Sequence, residues 1–149
     1  MSKNTRDAKF RAIDVDKYDE NNYIDEETED VQSGPNESEV IKHLNAARNE
    51  EALKLVLTNP PLATKNQAIK DKCFQLVMRV LTSFRTSDMD SAIKTLDQQK
   101  IDTLMKYIYR GFETPSEKTC SLLLAWHERA VAAGGLGSIM RVLTDRKHV

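Results

Sequence analysis

The chain has 149 residues, of which 30% are charged and only 6% aromatic, and its net charge is −1. That length supports one domain with a sizeable core, and five glycines and four prolines in all favour helices packed through Leu, Ile, Val, Met and Ala. The small net charge conceals a split: residues 1–40 carry 5 Lys/Arg and 12 Asp/Glu (−7), which leaves 17 and 11 (+6) for the rest of the 22 and 23. An acidic N-terminal segment ahead of a body with scattered cations argues against nucleic acid as a partner.

Residues 1–36 read as an extended acidic arm and linker. Phe10, Ile13, Val15 and Tyr18 stand as isolated apolar anchors among Asp14, Asp16, Asp19 and Glu20. So little apolar surface cannot offset chain entropy, and the arm is expected to order only on a partner. A purely solvating tail has no use for such anchors, so they are read as a recognition strip. Ser33-Gly34-Pro35-Asn36 is a hinge into a helical domain over residues 37–149. The first residues hold no apolar signal core, and no apolar run approaches the ~18 residues of a membrane span. The expectation is a soluble cytoplasmic protein, with Cys73 and Cys120 as reduced, buried thiols.

Helical periodicity then repeats along the chain. Val40, Ile41, Leu44 and Ala47 form one inward face, broken at Asn49, and Leu53, Val56 and Leu57 form the next. Asn59-Pro60-Pro61 stops that helix. Thr64-x-x-Gln67 reads as a capping box for a long helix with Ile69, Cys73, Leu76, Val77, Val80, Leu81 and Phe84 on its stripe. Ser87-x-x-Asp90 opens a shorter one with Met89, Ala92, Ile93 and Leu96. Ile101, Leu104, Met105, Ile108 and Phe112 lie on one helical face, and Thr114-Pro115-Ser116-Glu117 carries start signals for the next helix. That helix has two apolar stripes, Cys120, Leu123, Leu124 and Val131, and Leu122, Trp126 and Ala130, ending at Gly134-Gly135. Leu136, Ile139, Met140 and Leu143 begin a last amphipathic helix within the core. The pattern predicts an all-α fold: about seven helices with short joints, in a compact bundle or short α–α superhelix.

Sites for chemistry are weak. Asp14-x-Asp16 starts like a calcium loop, but Tyr18, Asp19 and Asp25 occupy positions that want a ligand, a glycine and a bidentate glutamate. Cys120 and His127 are two turns apart, ~10 Å along a helix, too far for a dyad. His127 is read as a core or interface residue beside Trp126, and His148 as part of a terminal tail. Gly134, Gly135 and Gly137 precede a helix but lack the strand and GK[ST] of a phosphate loop. They read as a tight corner that, with Trp126, forms a possible interface of the body. No enzyme, cofactor, metal or small-molecule substrate is expected.

The arm FRAIDVDKYDENNYIDEE, the joint NPP, and the blocks LMKYIYRGFETPS and LLLAWHERAVAAGGLGSIMRVLTDRK together resemble one family, subunit 5, the smallest subunit of the actin-related protein 2/3 complex. The likeness runs from Phe10 to Lys147; it departs over Thr28 to Ser38, where Gly34 is the only glycine of a linker expected to be richer in them. The resemblance implies a non-catalytic scaffold in a seven-subunit assembly that nucleates branched actin filaments, in the cytoplasm, the actin cytoskeleton and cell projections. It implies that the body docks on the β-propeller subunit 1 and on subunit 4. It implies that Phe10, Ile13, Val15 and Tyr18 tether actin-related protein 2. From the residues alone, the alternative is a free-standing helical adaptor that binds peptides or helices in a groove.

Overall fold

The computed structural model describes residues 34–115 and 117–149. Among them all regular structure is helical, in the order α1 (Glu37–Asn45), α2 (Asn49–Thr58), α3 (Gln67–Thr82), α4 (Met89–Lys94), α5 (Gln98–Glu113), α6 (Glu117–Gly134) and α7 (Leu136–Thr144). The all-α expectation, with its short joints, is met. The arm anchors Phe10, Ile13, Val15 and Tyr18 lie outside the described residues, as does Ser116 of the start signal read before α6.

Helix α5 is the centre of the body. Its stripe of Ile101, Leu104, Met105 and Ile108 is buried, and α2, α6 and α7 all pack against it. The stripe of α3 is buried from Cys73 through Leu81, with Phe84 just beyond the helix end. One apolar cluster runs from Val40 to Val149 through six of the helices in turn, and α7 joins it only at its edge, through Ile139 and Val142.

The starts of α1, α3 and α5 are capped by short polar side chains. Asn36 accepts from the Ser38 amide at 3.2 Å, and Asp97 accepts from the Lys100 amide at 2.8 Å. Three sequence expectations are corrected here. The cap of α3 is Asn66, whose side chain accepts from the Ala68 amide at 3.0 Å; Thr64 instead accepts from the Asn66 amide at 3.2 Å. Both are Asx or hydroxyl acceptors, and the one nearer the first helical residue wins. At α4, Asp88 occupies the cap without a side-chain bond to the helix, and Ser87 donates to the Asp88 carboxylate at 2.8 Å. Asn49 starts α2 instead of breaking α1; the break falls at Ala46–Ala47, where Ala47 takes a left-handed φ of 57°.

Two close approaches hold the body together. A Cβ built on Gly111 of α5 would stand 2.6 Å from Leu123 Cδ1, so α6 packs onto bare α5 backbone there. Trp126 is fully buried, edge-on to Phe84 with ring centroids 5.2 Å apart, and its indole N–H points to the Leu81 carbonyl at 3.4 Å. Tyr107 is buried beside this core with no partner for its hydroxyl, and burial pushes its ionisation far upward.

Candidate docking surface

Helix α7 reverses the expectation for its apolar stripe. Leu136, Met140 and Leu143 are 70%, 54% and 64% exposed, and the inward face consists of buried Ser138 with half-buried Ile139 and Val142. Positions 136, 140 and 143 follow the i, i+4, i+7 spacing of one helix face. The stripe is therefore continuous, lies along a surface helix and is covered by none of the described residues. Leu124 of α6, also read as inward, is 58% exposed. Only one face of α6 is fully buried, that of Leu123, Trp126 and Ala130. Apolar side chains scattered singly on a surface are ordinary, but three in register on one helix are the mark of an interaction face.

The corner before α7 explains how its opposite face becomes the inner one. Gly135 is a single-residue joint with φ 68°, a left-handed conformation that glycine adopts without strain. Its amide donates to the Val131 carbonyl at 2.8 Å and closes α6. Its carbonyl accepts from the Ser138 hydroxyl at 2.8 Å, which satisfies the one buried polar side chain of α7. Gly134 is half-buried with Ile101 of α5 against it, whereas Gly135 and Gly137 are exposed. Of the residues read as a body interface, the glycine corner is thus at the surface and adjoins the Leu136 stripe. Trp126 is in the core, and its side chain offers no surface to a partner.

The histidines and cysteines fall elsewhere. His127 is half-buried against the rings of Tyr109 and Phe112, at 5.7 and 6.1 Å between centroids. His43 pairs with Glu51 at 3.0 Å. His148 is not in a free tail: its carbonyl accepts from Lys70 Nζ at 2.7 Å, and Val149 after it is buried. Cys73 is buried under Gly34, whose added Cβ would meet the sulfur at 2.6 Å, and that burial raises the thiol pKa. Cys120 is half-buried and free.

A cleft of about 660 Å³ lies beside α7, between the joint after α2 and the first turns of α5. Its charges are matched in pairs: Lys100 with Asp97 at 3.0 Å, Arg141 with Asp102 at 2.6 Å, and Lys106 with Asp145 at 2.5 Å. The hydrogen bond from Lys106 holds the Asp145 carboxyl below the usual range. Among the described residues no group of three or more His, Cys, Asp or Glu could hold a metal ion, and no helix is long and apolar enough to cross a membrane. What the described surface offers chemically is an apolar contact strip with a glycine corner at one end.

Comparison with known proteins gives a consistent picture. Residues 9–149 match the family described as ARP2/3 complex 16 kDa subunit (p16-Arc). The chain is 50% identical to actin-related protein 2/3 complex subunit 5-C of Xenopus laevis, over 100% of both chains. It is 46% identical to the human subunit 5-like protein, again over 100% of both. It is 37% identical to subunit 5 of Dictyostelium discoideum, over 86% of this chain and 99% of that one.

Proposed function

The chain belongs to the ARP2/3 complex 16 kDa subunit (p16-Arc) family, and from that membership we propose that it is a non-catalytic structural subunit of the assembly that nucleates branched actin filaments. The observation that carries docking through the body is the exposed Leu136–Met140–Leu143 stripe, three apolar side chains in register on one face of a surface helix. In this reading the helical body docks through α7 and the Gly135–Gly137 corner on the β-propeller subunit and on subunit 4. The arm, through Phe10, Ile13, Val15 and Tyr18, reaches actin-related protein 2 and tethers it. The place of action is the cytoplasmic actin cytoskeleton, including cell projections.

Arm and body then divide the work. A weak arm site on a firmly docked body gains from effective concentration: the arm's target is held near without needing a tight contact of its own. Ordering the arm on its target costs conformational entropy, which keeps that contact reversible.

Removal of residues 1–33 tests the division. This cut spares Gly34, packed on Cys73, and Asn36, which caps α1, so the body keeps its first helix start. The shortened chain is expected to show unchanged helical circular dichroism and to enter the reconstituted complex. Actin-related protein 2 is expected to wash out of that complex several-fold faster than from the full-length one. Unchanged retention overturns the tether; failure of the shortened chain to incorporate overturns the assignment of docking to the body.

A further inference from the structure

Three contacts join α5 to α7 and the segment after it with the same sequence offset. Asp102 pairs with Arg141, Lys106 pairs with Asp145, and Arg110 donates to the Val149 carbonyl at 3.1 Å. Each pair is 39 residues apart, and successive rungs are four residues apart on both sides. Four residues is about one turn of α5, and Arg141 and Asp145 span the last turn and cap of α7, so the rungs form a ladder that advances in the same direction along α5 and along α7 into the segment after it. The Asp102–Arg141 rung is two-pronged, with Nε at 2.6 Å and Nη2 at 2.9 Å from the two carboxylate oxygens. Lys106 is only 11% exposed and also donates to the Lys147 carbonyl at 3.0 Å.

Packing alone leaves α7 under-determined. Its inner face offers Ile139, Val142 and the small Ser138, while Leu136, Met140 and Leu143 point outward. The cleft lies along its flank where Arg141, Val142 and Asp145 face α5. The joint before α7 is the single residue Gly135, which brings the backbone freedom of glycine to the corner. We infer that the Asp102–Arg141 and Lys106–Asp145 rungs are positioning residues that set the slide and roll of α7, and thereby aim the Leu136–Met140–Leu143 stripe at its partner.

The charge order supports a register role. Sliding α7 by one turn one way faces Asp102 with Asp145, and the other way faces Lys106 with Arg141. Both meetings are between like charges. The second slide would also bring Asp145 to Arg110, but Arg110 is already engaged by Asp71 and by the Lys70 carbonyl at 2.9 Å. Each rung pairs a largely covered group, Asp102 or Lys106, with a more open one, Arg141 or Asp145, so solvent at the open partner limits the net stability of the pair, whereas misplaced like charges discriminate between arrangements. The ladder therefore specifies where α7 lies more than it holds the body together.

The inference rests on α7 being the docking element, and the experiment separates the two claims. Full-length chains carrying Asp102→Arg, Arg141→Asp, both together, or Met140→Glu are titrated into the complex lacking this subunit, with circular dichroism melts of each free chain. Each single reversal is expected to weaken incorporation about tenfold while leaving the helical signal intact, and the swapped pair to restore most of it. Met140→Glu is expected to weaken incorporation without rescue by the swap. If the reversals incorporate like the wild type while Met140→Glu does not, the ladder inference is overturned and the docking reading stands. If the swapped pair fails to recover, with its melt unchanged, the rungs act as individual charges and the inference is likewise overturned. If Met140→Glu incorporates normally, the docking reading falls and the inference falls with it.

Discussion

Trp126→Ala is expected to destabilise the helical body by about 3–5 kcal/mol, the usual cost of truncating a fully buried large aromatic. The indole fills the space between α6 and the end of α3, edge-on to Phe84 and beneath Leu81. Alanine there leaves a cavity that neighbours such as Phe84 cannot close without shifting the end of α3 and the segment after it. It also leaves the Leu81 carbonyl without the indole donor, a smaller loss given the 3.4 Å separation. A thermal melt should fall by about 10 °C or more for a body of this size. Because Trp126 has no exposed surface, its effect on assembly should follow the loss of fold and nothing else. An unchanged melting temperature would contradict the core placement.

Gly111→Val is the second large effect. The glycine sits in the last turn of α5, where an alanine would ordinarily stabilise by up to about 1 kcal/mol. Here any Cβ meets Leu123 Cδ1 at 2.6 Å, and Leu123 is itself buried against the core. Overpacking of that kind typically costs about 1–3 kcal/mol, and the branched valine adds a second methyl to the same space. A urea melt should show the loss. In a Leu123→Ala background the same valine should cost much less, since the two sites share one contact. Equal costs in both backgrounds would show that the α5–α6 approach is not set by this pair.

Much of the fold could be read from periodicity, and the reason is visible in α5 and α3. Their stripes repeat over several turns and are covered by the chain's own helices, so pattern and burial coincide. Helix α7 shows where that logic ends. Its period is as clear, but periodicity marks a face as apolar without saying whether this chain or another covers it. The inward side is the weaker one, with Ser138 satisfied locally by the Gly135 carbonyl three residues back. Leu124 on α6 is exposed for the same reason: it lies on an apolar stripe, but the described residues do not cover it. Gly111 escaped notice because a lone glycine in a helix has no local meaning; its meaning is Leu123, on the next helix. Of the ladder, the sequence displays Asp102-x-x-x-Lys106 and Arg141-x-x-x-Asp145 as alternating charges, but not that they face each other across the body. Caps were placed within two residues because Thr64 and Asn66 offer the same kind of acceptor.

Oxidative footprinting of methionine tests the central claim most directly, because one probe lies on the proposed contact strip and another in the core. Met140 is 54% exposed and Met105 is fully buried. In the free chain Met140 should oxidise readily and Met105 hardly at all. In the assembled complex Met140 should become protected to a level near that of Met105. Met140 oxidising as fast in the complex as in the free chain would contradict docking through α7.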